Sequence, residues 1–389
     1  MSNDFDLEEF CGIEEYGTDS PGIGGRLKTK PEDFVVEEVP IDLEEGGNFL
    51  LCKLKKRNMT TFEAIDRISS KLRLSKKRIG YAGLKDKRAC TTQFVTLEGL
   101  DGEEVKLDEE GLEVEAVKKV SRSLKNGDLK ENRFTITLRG IDVGLEECRE
   151  RLQELAEEIK EGVPNYYGLQ RFGGKRPITH LVGKELLRRN YREAVETYLF
   201  KTFSTEKQEF REARSRLEEN KNYDEALEYF PRPLTYERDL IKKLNGLNPS
   251  TDKDWIKVFK VFPKNLRRLF VHAYQSYVFN KAVSRLLRHD ARNFPGKVPG
   301  YGTNFSSQSF DSYLEQALQE DNVKLKDFEF KDFGELSSKG TLRAVLIKPD
   351  FEVTEVKEVE GKATVEVSFS LKPGRYATVV MREIMKKSM

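Results

Sequence analysis

One carboxylate, Asp86, stands among three cations, Lys85, Lys87 and Arg88, in the run Gly80-Tyr81-Ala82-Gly83-Leu84-Lys85-Asp86-Lys87-Arg88-Ala89. An opposite charge within a few ångströms favours the ionised form of a carboxylate. An ionised carboxylate suits nucleophilic attack better than proton donation. Glycine at 83 frees the backbone for a tight turn just before the acid. The same run also reads as an ordinary charged turn, and these residues alone leave both readings open.

Other familiar chemistries find no residues to carry them. The sequence has no G-x-x-x-x-G-K-[ST] phosphate loop, no G-x-G-x-x-G after a strand and no G-x-S-x-G elbow. Its three histidines, 180, 272 and 289, are scattered, and its four cysteines, 11, 52, 90 and 148, form no C-x-x-C pair. Neither a metal site nor a disulfide framework is expected, and no cofactor is implied. Cys52, Cys90 and Cys148 lie in apolar patterns and read as small core residues. What remains is carboxylate chemistry. A glycosidase would need a second acid across a sugar, which Asp33 or Glu38 could supply.

Charge distribution narrows the substrate. The formal net charge is +1, but residues 1–50 hold 14 acidic and 3 basic side chains, whereas residues 51–90 hold 13 basic and 3 acidic ones. A cationic block of that density reads either as a phosphate-contacting surface or as a solvated helix face. No apolar run approaches a membrane span, and the acidic N-terminus is unlike a secretory signal. A cytoplasmic, monomeric protein without an obligate protein partner is expected. The first 20 residues, acidic and poor in apolar side chains, read as loosely held.

The elements that must position Asp86 follow from periodicity. Residues 32–39 read as a short strand, and 48–55 as a second with Leu50, Cys52 and Leu54 on one face. Thr60 and Glu63 make a capping box for a helix whose apolar positions are Phe62, Ile65, Ile68 and Leu72. Strands recur at 93–97, 112–117 and 134–138, followed by a helix marked by Leu145, Cys148, Leu152, Leu155 and Ile159. Next comes Asn165-Tyr166-Tyr167-Gly168-Leu169-Gln170-Arg171-Phe172-Gly173-Gly174. Aromatic faces stack bases and Arg171 could add phosphate contact, although an aromatic hinge has the same composition. From 178 to 290 the pattern is mostly helical, with a long helix over 266–287. Its Tyr274-Gln275-Ser276-Tyr277 run suits a core face better than a substrate contact. Strand character returns at 343–347 and 363–371. The order β-rich, helix-rich, β-rich points to a β-containing domain built from both chain ends around an inserted helical module.

Several stretches together resemble the TruD family of pseudouridine synthases. They are Leu27-Lys28-x-x-Pro31-Glu32-Asp33-Phe34-x-Val36-x-Glu38, Gly83-Leu84-Lys85-Asp86-Lys87 with Ala89, Thr91 and Gln93, and Asn132-Arg133-Phe134. Asn165 to Gly173, Leu342-Arg343-Ala344 and the Pro373-Gly374 to Arg382-Glu383 region complete the set in family order, with Tyr167 where Phe is usual.

The resemblance implies an α+β fold. A catalytic domain with a mixed, mostly antiparallel sheet and flanking helices would comprise residues 1–167 plus 342–389. A large, mainly helical α/β insertion domain would comprise residues 168–341. It implies isomerisation of uridine 13 in the D-arm of tRNA, without a cofactor, the tRNA lying in a basic cleft. Asp86 is similar to the family's nucleophile and Lys28 to the lysine paired with it. Phe134 matches the aromatic that packs on the target base, and Asn132 a polar residue lining that pocket. Lys85 and Arg171 join the substrate-binding set. A non-catalytic RNA-binding protein using the same basic cleft is the alternative.

Overall fold

A computed structural model describes residues 6–100, 105–289 and 295–386. The described chain divides into two units, residues 18–163 with 348–386 and residues 6–17 with 164–347.

The first unit is a sheet with helices. Its strands are β1 (Phe34–Pro40), β2 (Glu45–Arg57), β3 (Ile79–Tyr81), β4 (Cys90–Glu98), β5 (Lys106–Glu109), β6 (Leu112–Val120), β7 (Leu129–Ile141), β8 (Glu352–Val359) and β9 (Lys362–Leu371). The sheet runs β8-β9-β7-β1-β4-β2-β6-β5, with β3 paired to β4. β1 and β4 pair in parallel, and the other described pairs are antiparallel. The parallel pair places the start of β1 beside the residues that follow Asp86.

Alternation along the strands decides what faces inward. On β1 the buried positions are Phe34, Val36 and Glu38, so a carboxylate occupies a core-facing place. On β2 they include Leu50, Cys52, Leu54 and then Lys56, an ammonium where the pattern calls for another apolar residue. On β4 they include Thr91, Gln93, Val95 and Leu97. Cys90 is therefore only half-buried, at the strand's first position and out of phase with the inward face. It is not the core residue its surroundings suggested.

Helix α1 (Thr61–Lys71) opens on the expected capping box: Glu63 N donates to Thr60 Oγ1 at 3.1 Å, and Thr60 N to Glu63 Oε2 at 2.7 Å. Its buried face is Thr61, Ala64, Ile65 and Ile68. Those apolar side chains share a core with Leu50, Leu54, Ile79, Val95, Leu97 and Val114. Burying each large aliphatic side chain fully is worth about 1.5–3 kcal/mol. Phe62, expected on this face, is instead 56% exposed. Thr61 holds the inward place because its hydroxyl has partners there. Two further helices complete the unit, α2 (Leu145–Glu161) and α3 (Ala377–Met385).

The second unit is mainly helical, around the long helix Lys264–Leu287. Its Tyr274, Gln275 and Ser276 are buried, so the tyrosine-rich run is core, with Tyr274 Oη donating to Asp321 Oδ2 at 3.1 Å. The helix Thr179–Leu187 packs on it at Gly183, where an added Cβ would lie 2.0 Å from Phe270 O. Residues 6–17 belong to this unit, whereas the sequence assigned them to the catalytic domain. Cys11 and Ile13 are buried there, Asn280 Nδ2 donates to Cys11 O at 3.1 Å and Ser284 Oγ to Gly12 O at 2.8 Å. Two apolar anchors and these side-chain bonds hold a stretch whose composition looked loose. Residues 1–5 lie outside the described chain.

Candidate active site

Asp86 sits on the loop between β3 and β4, and the loop is tied down from below. Thr61 Oγ1 accepts from Lys85 N at 2.9 Å and donates to Gln93 Oε1 at 3.0 Å. Gln93 Nε2 donates to Gly83 O at 3.2 Å. Lys56 Nζ reaches the Asp86 carbonyl at 2.8 Å and the Met59 carbonyl at 2.6 Å. Thr61 and Gln93 are fully buried, so this scaffold is rigid where polar groups have no competing water. The Asp86 side chain points away from it and is 46% accessible.

The Asp86 carboxylate meets Lys28, with Nζ to Oδ2 at 2.8 Å. Lys28 has φ of +53°, a left-handed backbone that costs a non-glycine residue about 1–3 kcal/mol. The neighbouring structure holds it there. Arg26 bridges to Arg139 on β7, and Arg139 Nε donates to buried Asp33 Oδ1 at 2.7 Å. Asp33 Oδ2 in turn accepts from Lys30 N at 2.9 Å. From the other side Arg88 Nη2 donates to Thr29 O at 2.6 Å, tying the Asp86 loop to the Lys28 turn. The Lys28 ammonium also lies 4.0 Å from the centroid of the Phe34 ring. Asp33 is thus structural support for Lys28, not a second acid across a sugar.

A second polar group lies on the inner face of the sheet. Lys85 Nζ is 2.7 Å from Glu38 Oε2 and 2.6 Å from Asn132 Oδ1. Glu38 Oε1 accepts from Phe94 N at 3.1 Å. The Lys85 side chain is only 7% accessible, so its ammonium braces the loop and Asn132 and does not extend to solvent. Two residues along β7, Phe134 stacks on Phe369 of β9 at 5.4 Å and 25°, with Phe34 edge-on at 6.1 Å. Phe134 is 9% exposed.

The sheet unit therefore gathers Lys28, Lys85, Asp86, Asn132 and Phe134. Arg171 belongs to the helical unit, where its Nε donates to Ser276 Oγ at 3.2 Å and its guanidinium lies 5.7 Å from the Tyr167 ring centroid. About half of the cationic block of residues 51–90 is ion-paired. Lys55 pairs with Glu113, Arg57 with Glu32, Lys71 with Glu109, Lys76 with Asp66, Arg78 with Glu98 and Lys87 with Glu63. Most of those acids are distant in sequence, so a local charge count could not see them. The signal missed altogether was Lys56. Burial pulls its ammonium down to about 8, against a smaller opposing pull from Asp86. Among the described residues no cluster of His, Cys, Asp and Glu has the make-up of a metal site, and no helix is long and apolar enough to cross a membrane.

The same architecture exists in a solved structure. The crystal structure of a Methanosarcina mazei protein assigned to TruD matches with a TM-score of 0.82 and 34% identity, over 98% of each chain. The α+β class is thus that of a pseudouridine synthase. The sequence matches the family described as tRNA pseudouridine synthase D (TruD) over residues 10–297 and 291–384, and the chain belongs to that family of tRNA-modifying isomerases. A protein of Methanosarcina acetivorans named "Probable tRNA pseudouridine synthase D" is 35% identical over 98% of this chain and 97% of its own. One of the same name from Methanopyrus kandleri is 38% identical over 87% and 86%.

Proposed function

We propose that this protein isomerises uridine 13 in the D-arm of tRNA to pseudouridine, with Asp86 as the nucleophile. The observation that carries the proposal is the Lys28–Asp86 pair: an accessible carboxylate, gripped at one oxygen, on a loop fixed by buried bonds.

The reaction breaks the bond from C1′ to N1 of uracil, turns the base and forms a bond from C1′ to C5. C5 gives up its proton and N1 gains one, so atoms and electrons balance without a co-reactant. Asp86 contributes its anion, by adding covalently or by taking a ribose proton. Lys28 pairs with one oxygen of that carboxylate and so fixes which oxygen faces the nucleoside. Taking a uridine out of its stack costs a few kcal/mol. Stacking on Phe134 would return roughly 1–3 kcal/mol. Phe369 covers one face of that ring and only 9% of Phe134 is exposed, so the return would lie at the low end of that range. Asn132 would contact the base edge, and Arg171 and the cations left free would contact phosphates. The tRNA substrate sets the work in the cytoplasm.

Incubation with total unmodified tRNA, followed by carbodiimide treatment and mapping of the resistant positions, tests the reading. A new pseudouridine at position 13 is expected. Pseudouridine only elsewhere would overturn the site assignment. Tight binding with no pseudouridine at all would make the protein an RNA-binding module instead.

A further inference from the structure

Lys56 takes the fourth inward place on β2, after Leu50, Cys52 and Leu54, and only 3% of it is exposed. An ammonium buried among apolar side chains is costly, and an apolar residue of similar volume is often neutral or stabilising in such a place. Among the described residues Lys56 makes no ion pair that would offset the cost. Its partners are backbone carbonyls: Met59 at 2.6 Å, Asp86 at 2.8 Å and Lys85 at 3.5 Å. An ammonium has three donors and no acceptor, and these three oxygens answer them.

The position of those carbonyls matters more than their number. Two belong to Asp86 and the residue before it. Thr61 already holds the Lys85 amide and Gln93 the Gly83 carbonyl. Lys56 supplies what is still lacking, a grip on the peptide that leaves Asp86. With its carboxylate on Lys28 and its carbonyl on Lys56, Asp86 is fixed at both ends. We propose that Lys56 is a positioning residue, which sets the reactive carboxylate by clamping the Asp86 backbone from inside the sheet. This rests on Asp86 acting in the reaction. A misplacement of about 1 Å can cost on the order of a hundredfold in rate.

The ionisable groups acting on Lys56 are Glu63 on α1, Lys85 and Asp86 on the loop and Cys90 on β4. Charge-assisted bonds are roughly twice as strong as neutral ones, so the clamp should loosen as Lys56 loses its proton.

Three enzymes distinguish the proposal from a merely structural role: wild type, Lys56→Met and Lys56→Arg. Lys56→Met keeps most of the buried stem and is expected to lower kcat at least tenfold, with KM for tRNA within about twofold. In wild type kcat should fall as pH rises through about 8, with the neutral amine left in the clamp. Lys56→Arg, which stays charged, should keep a third or more of kcat and lose that fall. A folded Lys56→Met enzyme with kcat within twofold of wild type would overturn the proposal. So would the same alkaline fall in wild type and Lys56→Arg, a comparison that stands even if Lys56→Met does not fold. Asp86→Ala, run beside them, separates the two ideas: if it is active the reading of Asp86 fails, and if it alone is inactive only the clamp fails.

Discussion

Both units are built with ion pairs, and they use them differently. In the helical unit Arg214 lies with Nη2 2.7 Å from Glu237 Oε1 and Nε 3.3 Å from Glu206 Oε1. Its Nη1 donates to Leu199 O at 3.0 Å. Arg176 approaches the same two carboxylates at 3.3 and 3.5 Å. Burial, with repulsion from Arg214, pulls Arg176 down to about 10. Each of those acids meets two guanidinium groups and almost no water. In the sheet unit Asp86 meets a single ammonium and keeps nearly half its side chain open. A saturated network stabilises helices and leaves nothing to react. An unsaturated pair on a braced loop keeps an anion available. Saturation therefore separates the buried structural network from the pair proposed to react; what sets Asp86 apart from the equally open surface pairs is its braced loop.

The largest expected effect lies in the saturated network. Arg214→Leu removes a cation from two buried carboxylates and should cost about 3–5 kcal/mol of stability. Urea unfolding monitored by circular dichroism measures it, and a loss under 1 kcal/mol would break the contrast. Next comes the unsaturated pair. Lys28→Met should lower turnover about a hundredfold, or about 2.7 kcal/mol, while tRNA affinity and urea midpoint change little. Steady-state kinetics with a filter-binding titration check this, and an effect on affinity alone would make Lys28 a phosphate contact.

A directional effect follows from Lys56. Its folded-state value near 8 lies below the ordinary 10.5, so between those values the unfolded chain binds more protons. This group's contribution to stability should rise as pH goes from about 8 to 10.5. Wild type should gain in urea midpoint relative to Lys56→Met across that window, and parallel curves would contradict it. The smallest effect belongs to the surface. Breaking the exposed Lys55–Glu113 pair with Lys55→Ala should leave the urea midpoint almost unchanged. A clear loss in the same unfolding assay would mean that the outer pairs also hold the sheet.

Much of the sheet was legible in the chain because alternation is local. Leu50, Cys52 and Leu54 announce β2 without reference to anything else. The same period, carried one step further, lands on Lys56. A lysine there is unreadable until the carbonyls that receive it are in place. Phe62 misled for a similar reason: apolarity put it inward, but Thr61 had hydroxyl partners on Gln93 and Lys85. The sequence reading puts Lys85 in the substrate-binding set, yet Glu38 and Asn132, far off in sequence, hold it inside. The pairing of Lys28 with Asp86 across 58 positions came from the family motifs and not from any local pattern. In the helical unit the helices Thr235–Leu247 and Asp252–Phe259 were legible but unread: Leu240, Ile241 and Leu244 fall at helical spacing in the first, and Thr251 with Asp254 forms a capping box for the second.

The most direct test uses tRNA transcribed with tritium at C5 of uridine, because forming the new carbon–carbon bond must release that label to water. Wild type and Asp86→Ala are compared in single-turnover reactions with enzyme in excess and tRNA binding measured in parallel. The account predicts tritium release by wild type, and binding without detectable release by Asp86→Ala. Release by the variant at a rate within tenfold of wild type would contradict the assignment of Asp86.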